Sequence, residues 1–120
     1  MVPNAKSIDQ SQLLKGVLDM AVLAVLASGD GYGYDVVRRL RMAGLAEVAE
    51  ASVYGTLRRL FSDGALSSYV VPSDEGPHRK YYGLTDIGRA HLDALTATWA
   101  GFTAAVDSLV TPNEKEHGHD

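Results

Sequence analysis

The chain has no cysteine among its 120 residues, and this absence excludes several kinds of protein at once. Disulfide frameworks, thiolate zinc sites and cysteine nucleophiles all need a thiol. The first twelve residues also lack the basic stretch followed by an apolar stretch that marks a secretion signal. We therefore expect a cytoplasmic protein.

Long apolar runs are missing as well. The longest apolar-rich stretch, residues 13–27, is interrupted by Lys15, Gly16 and Asp19. It is shorter than the roughly 20 residues that a helix needs to cross a bilayer, so we expect a buried helix and no membrane partner. The 46% of apolar residues suffice for one compact domain with its own core, and for 120 residues we expect no second, catalytic domain.

Positive charge is scarce, because eleven lysines and arginines stand against fifteen acidic residues. The resulting net charge of -4 argues weakly against a nucleic-acid partner. The distribution argues the other way, since residues 31–89 hold most of the positive charge and are where an anionic partner could bind. The basic residues of this segment are Arg38, Arg39, Arg41, Arg58, Arg59, Arg79, Lys80 and Arg89.

Apolar periodicity predicts a series of helices. The first covers residues 13–28 and is apolar almost all round, so it needs neighbours on several sides. After a turn at residues 28–31, the second helix runs to about Met42, and the third covers residues 50–63. The predicted buried stripe of the third helix consists of Val53, Leu57, Leu60 and Phe61.

Two short segments rich in Tyr and Val, residues 66–71 and 78–84, flank a polar loop and predict a β-hairpin. Thr85 then offers an N-cap for a last helix. Along that helix, apolar residues recur at alternating spacings of three and four, which is the seam of a coiled coil. The seam consists of Leu92, Leu95, Trp99, Phe102, Val106 and Leu109.

The order of helix, helix, helix, hairpin and helix is that of a winged helix-turn-helix. The expected fold class is therefore mainly α with a small antiparallel β-hairpin. We expect four regions, of which the first and the last are flexible or disordered. They are an N-terminal arm over residues 1–11, the winged domain over 12–84, a C-terminal dimerisation helix over 85–110 and a tail over 111–120.

Four motifs stand in order along the chain, namely Leu14-Lys15-Gly16, Gly33-Tyr34-Asp35, residues 52–60 (SVYGTLRRL) and residues 79–89 (RKYYGLTDIGR). Together they resemble the PadR-like family of bacterial transcriptional regulators. The resemblance spans about residues 13–109, and the single short last helix is similar to the smaller subfamily. It implies a homodimeric, sequence-specific DNA-binding repressor that acts on an inverted-repeat operator.

The outer face of the third helix mixes cations, hydroxyls and one glycine. Arginine can bind guanine through two hydrogen bonds, and hydroxyl groups can bind phosphates or bases. A glycine lets the backbone approach the major groove closely. We expect this face to read DNA with both of its arginines free, although a solvated arginine pair would give the same pattern. The expected reading residues are Ser52, Tyr54, Gly55, Thr56, Arg58 and Arg59.

Arg79 and Lys80 follow the hairpin loop, where a winged fold places positive charge beside the DNA backbone. Tyr34 resembles the family's tyrosine near that backbone, and a packed tyrosine is the alternative interpretation. Arg38 either contacts phosphate or keeps its helix soluble. Phosphate contacts are therefore expected from these four residues, while the acidic residues of the loop oppose them.

The seam needs a cover, because Trp99 and Phe102 would otherwise form a larger exposed apolar stripe than a soluble monomer shows. The first helix of the same chain could cover it. We prefer a second copy, because a two-fold dimer can place two reading helices about 34 Å apart. Leu13, Leu14 and Val17 are expected to join the seam in this interface. The resemblance further implies an aromatic or planar effector against Leu14, Val17, Trp99 and Phe102, with a core tryptophan as the alternative.

Catalysis has little support. His78, His91, His117 and His119 do not form a metal-binding pair on a helix, and the spacing indicates no Ser/His/acid triad. We expect no enzyme, no metal and no cofactor. Two other functions stay open: a winged-helix protein-interaction module without DNA binding, and a small-molecule sensor or metal carrier whose DNA contact is vestigial.

Overall fold

A computed structural model describes residues 10–112 of the chain. Most of the predicted N-terminal arm and most of the predicted tail lie outside the described residues. The two histidines of the tail, His117 and His119, also lie outside them. The described part confirms the fold class, since it is mainly helical with one small antiparallel sheet. Its elements are α1 (Ser11–Ala27), β1 (Gly31–Tyr32), α2 (Gly33–Met42), α3 (Glu50–Ser62), β2 (Leu66–Val71), β3 (Arg79–Leu84) and α4 (Asp86–Val110).

Helices α1, α2 and α3 share one core, because each of them turns apolar side chains toward the other two. The middle of α1 is buried on several sides, as its all-round apolar character predicted. A fully buried aliphatic side chain contributes about 1.5 to 3 kcal/mol, so this core dominates the stability of the domain. Its largest fully buried members are Leu23, Leu40, Leu57, Leu60, Val22, Val36, Val37 and Val53.

The sheet has three strands, where the sequence predicted a hairpin alone. β3 lies in the middle and is antiparallel to both neighbours, with Leu66 of β2 opposite Leu84 and Gly31 of β1 opposite Tyr82. The prediction of a plain turn over residues 28–31 is therefore wrong at Gly31, which belongs to a strand. A strand of two residues carries too few positions for an alternating pattern to reveal it.

Two side chains of α3 differ from the prediction in their burial. Thr56 is only 6% exposed, whereas Phe61 is 44% exposed. Thr56 follows Val53 by three residues and precedes Leu60 by four, so it shares their inward face. Thr56 therefore cannot read DNA while the fold is intact, and its place among the reading residues is corrected.

Thr85 joins α4 to the winged domain and confirms the predicted N-cap. Its hydroxyl accepts a hydrogen bond from the Gly88 backbone N–H at 3.1 Å and donates one to the Gly64 carbonyl at 2.7 Å. The helix that follows has 25 residues and is therefore about 37 Å long. Within residues 10–112, α4 and the other helices are too short or too polar to cross a membrane.

Candidate nucleic-acid interface

Fewer residues of α3 face solvent freely than the sequence predicted. The buried positions of the helix are 53, 56, 57 and 60, and the exposed side chain of Arg58 lies nearly opposite them. Gly55 lies one turn before it on the same side. A Cβ added to Gly55 would meet nothing nearer than the Arg58 guanidinium at 3.9 Å, so the backbone is open to approach there. Ser52 is also exposed.

Arg59 is not free, contrary to the prediction. Its Nη1 and Nη2 donate to the two carboxylate oxygens of Asp19 on α1, at 3.0 and 2.7 Å. These hydrogen bonds, and then the charge of Asp19, raise the pKa of Arg59 above its ordinary value. The two side chains remain 52% and 33% exposed. The expectation that both α3 arginines lie free for bases is therefore wrong for Arg59.

A shallow pocket of about 260 Å³ lies between the start of α2, α3 and the wing, which is the hairpin of β2 and β3 with the loop between them. Tyr34 at its rim is 46% exposed, which argues against the alternative of a packed core tyrosine. Tyr54 lies directly against Gly33, where a Cβ would come within 2.2 Å of the ring. Burial, and then the charge of Glu50, raise the pKa of Tyr54 above its ordinary value.

Arg79 and Lys80 line the same pocket, and aromatic rings hold both of them. The guanidinium carbon of Arg79 lies 4.4 Å from the centre of the Tyr32 ring. The ammonium group of Lys80 lies 5.6 Å from the ring centres of both Phe61 and Tyr82. Such contacts position a cation without cancelling its charge. Two positive charges therefore stand beside α3 at the loop end of the hairpin.

The arginines of α2 are engaged within the protomer. Arg38 forms an ion pair with Asp35, although its side chain is still 51% exposed. Arg39 donates to the Val25 carbonyl at 2.6 Å, and Arg41 donates to the Val48 carbonyl at 3.0 Å. The positive charge of Arg38 is therefore shared with a carboxylate, which makes the predicted contact of Arg38 with phosphate less favourable.

A second candidate site is an apolar groove of about 560 Å³ between α1 and α4. The rings of Trp99 and Phe102 lie 6.1 Å apart along it. Of the α1 side chains predicted for the interface or the effector site, Leu13 and Val17 line this groove, but Leu14 does not. Leu14 is 7% exposed and belongs to the core of its own chain, so its predicted place at an open interface and effector site is corrected. The complete lining is Gln12, Leu13, Gly16, Val17, Met20, Leu95, Thr98, Trp99 and Phe102.

The predicted seam divides into two halves. Leu92 and Leu95 are half-buried against the core of their own chain, so this part of the seam is covered within the protomer, as in the alternative interpretation. Beyond them the seam is open, and its exposure reaches 82% at Leu109. The open residues are Trp99, Phe102, Val106 and Leu109.

A comparison with known families decides the identity of the chain. Residues 22–94 match the model of the transcriptional regulator PadR-like family. This chain belongs to the PadR-like family of transcriptional regulators. The family resemblance expected from the four sequence motifs is thereby confirmed.

Solved structures of PadR-like proteins share the architecture. A PadR-like transcriptional regulator from Bacillus cereus is 31% identical, with a TM-score of 0.75 over 85% of this chain and 99% of that one. A PadR family transcriptional regulator from Eggerthella lenta is 33% identical, with a TM-score of 0.75 over 85% of this chain and 88% of that one. Bacillus subtilis PadR, solved in complex with operator DNA, is 24% identical and similar in fold, with a TM-score of 0.61 over 67% and 46% of the chains.

Sequence reasoning missed two residues at the interface of this PadR-like protein. Asp19 lies 40 residues before the arginine that it binds, and no local pattern pairs them. Apolar periodicity places Phe61 in the buried stripe, yet its ring lies under the ammonium group of Lys80. Its position seven residues after Tyr54 is a usable signal, because residues seven apart on a helix share a face.

Proposed function

We propose that this PadR-like protein is a homodimeric, sequence-specific DNA-binding repressor of the cytoplasm that acts on an inverted-repeat operator. The observation that carries the proposal is the group of Arg58, Arg79 and Lys80. Among residues 10–112, no carboxylate lies within ion-pair distance of any of these three side chains. Lys80 packs against Phe61, which lies about one turn after Arg58 on α3, and this supports the use of all three cations on one face of the domain.

The arrangement suits a duplex because it separates base recognition from backbone contact. Arg58 can bind guanine through two hydrogen bonds when α3 lies in a major groove. Gly55 allows the helix to approach, while Arg79, Lys80 and Tyr34 hold phosphates. That Bacillus subtilis PadR, which shares this fold, was solved with operator DNA supports the same use here.

The open half of the seam supports the homodimer. Trp99 and Phe102 are 41% and 59% exposed, and Leu109 extends the apolar face to the end of α4. A contiguous apolar face of this kind marks an interaction site on a soluble protein. A second copy is the partner that fits best, because a two-fold dimer matches the symmetry of an inverted repeat.

The groove beside the seam supports an effector site for an aromatic or planar compound. Such a compound would stack on Trp99 and Phe102 and contact Val17 from α1. It would relieve repression only if it bound more tightly to the state that cannot bind DNA.

The test is selection of bound sites from a random duplex pool, followed by fluorescence anisotropy with the selected and an unrelated duplex. With six to ten phosphate contacts, affinity should fall by about 10³ to 10⁵ between 50 and 200 mM salt. Arg58→Gln should lose about 1 to 3 kcal/mol on the selected duplex. Arg89→Gln, which removes an exposed arginine from α4, is the matched control. Failure of the wild type to bind any duplex would favour the protein-interaction module.

A further inference from the structure

The ion pair between Arg59 and Asp19 bears on how this interface tells one sequence from another. We infer that Asp19 is a specificity-determining residue: it holds Arg59 inside the protomer and so withholds one of the two α3 arginines from DNA. The consequence is a lower affinity for unrelated sequences. This inference rests on the proposed DNA-binding function and assigns a role to a residue outside the reading helix.

The geometry of α3 places Arg59 within reach of a duplex. Successive residues of a helix are about 100° apart, so Arg58 lies about 30° from the middle of the exposed face and Arg59 about 70° from it. Arg59 therefore stands on the border of the reading face, on the side of α1. Because its side chain is 52% exposed, no rearrangement of the core would be needed to turn it toward solvent.

The Asp19 carboxylate occupies the same guanidinium donors that a DNA phosphate would bind. Both terminal nitrogens donate in parallel to the two oxygens of Asp19, which is the fork geometry that arginine presents to carboxylate or phosphate groups. While this pair persists, neither nitrogen is available to DNA.

Half-exposed ion pairs of this kind contribute little to the stability of a fold. The expected effect of the ion pair is therefore on DNA binding and not on stability. An arginine that contacts phosphate strengthens binding to every sequence alike. Releasing Arg59 would add one such contact to those of Arg79 and Lys80. The ratio of operator affinity to non-specific affinity would then fall.

The experiment compares wild type with Asp19→Asn, which removes the charge and keeps the shape. Affinities for the selected operator and for an unrelated duplex of equal length are measured by fluorescence anisotropy over a series of salt concentrations. We expect the affinity of Asp19→Asn for the unrelated duplex to rise about tenfold near 0.1 M salt. The slope of log affinity against log salt should steepen by about one.

Three further variants isolate the cause. Asp63→Asn removes an acid from the end of α3 without releasing Arg59, and it should change the unrelated affinity less than Asp19→Asn does. Combining Asp19→Asn with Arg59→Gln should return that affinity to the wild-type level. Arg59→Gln alone should leave operator affinity within about twofold, because the wild-type side chain does not reach DNA. Circular dichroism of each variant verifies that it is folded.

Several results would overturn the inference. They are an unchanged unrelated affinity in Asp19→Asn, a gain that survives the loss of Arg59, or a tenfold loss of operator affinity in Arg59→Gln. The last variant decides the matter even if Asp19→Asn fails to fold. If wild type binds no duplex, the proposed function itself fails. If wild type binds DNA and Asp19→Asn leaves the affinity for the unrelated duplex unchanged, only the role of Asp19 is removed.

Discussion

Gly88 of α4 lies so close to Ala65 that a Cβ on the glycine would come within 2.1 Å of the Ala65 carbonyl oxygen. Space is what requires glycine here, because Gly88 is not among the residues of positive φ. The contact fixes the point at which α4 leaves the winged domain. The direction of the open seam depends on it.

Gly88→Ala should therefore destabilise the protein, because either α4 or the Ala65 backbone must move. We expect the free energy of unfolding to fall by about 1 to 3 kcal/mol in urea titrations at a fixed protein concentration. Gly101→Ala, in the same helix but with open space around the new methyl group, is the control and should gain up to about 1 kcal/mol. Equal effects of the two substitutions would contradict the close contact.

Thr85→Ala removes both the N-cap bond to Gly88 and the bond to the Gly64 carbonyl. Loss of an N-cap of this kind destabilises by about 0.5 to 2 kcal/mol. Thr85→Ser keeps the hydroxyl and should retain most of that stability. Urea unfolding of the pair measures the difference, and equal losses in both would show that the hydroxyl is not responsible.

Gly55→Ala should separate stability from binding. Alanine is favoured over glycine inside a helix by about 0.8 to 1 kcal/mol, and the new methyl group meets only the Arg58 side chain at van der Waals distance. Thermal unfolding should therefore occur at a higher temperature. Operator affinity, measured by anisotropy, should fall because the α3 backbone is held away from the groove. A variant that is more stable and binds as wild type would show that α3 does not approach DNA at Gly55.

Phe102→Glu should dissociate the proposed dimer, because it would place an unpaired charge in the middle of the open seam. Central interface residues contribute on the order of 2 kcal/mol or more to association. Ala97→Glu adds the same charge to the opposite side of α4 and is the control. Size-exclusion chromatography with light scattering gives the mass of each, and a dimer of Phe102→Glu would place the interface elsewhere.

Tyr69 donates a hydrogen bond from its hydroxyl to Asp30 Oδ2 at 2.5 Å, and this bond raises the pKa of Tyr69 above its ordinary value of about 10. The bond needs the protonated phenol. Its contribution to stability is therefore complete below the ordinary pKa and disappears as the pH rises through the raised one. Asp30→Asn should shift the titration of Tyr69 toward lower pH. The difference in phenolate absorbance between each protein and its Tyr69→Phe derivative isolates this group.

Much of the architecture could be predicted because it follows from periodicity and turn chemistry. The stripe of Val53, Leu57 and Leu60 was sufficient to orient α3, and Thr85 was recognisable as a cap. The two errors on α3 arose where the hydrophobicity of a side chain and its position on the helix gave different expectations for its burial. Phe61 lies at the border of the buried stripe and is left outside, whereas Thr56 is small enough to be buried on the inward face.

The interface was harder to predict than the fold, because sequence gives the positions of charges and not their partners. Arg58 and Arg59 are adjacent and chemically equivalent, yet only Arg59 lies on the side of α1 where a carboxylate is available. That difference depends on how two helices pack, which involves residues 40 positions apart. Arg38 is a different case, because its partner Asp35 lies three residues earlier on the same helix, a spacing at which opposite charges pair locally.

Arg39 has a mechanical consequence for the whole domain. Its guanidinium binds the carbonyls of Val25 and Gly29 as well as Asp35 on its own helix, so one side chain fastens the end of α1 to α2 across the intervening turn. A displacement of α1 caused by a compound in the groove would therefore move α2 as well. Binding of such a compound beside α4 should in this way shift the position of α2 within the helix-turn-helix.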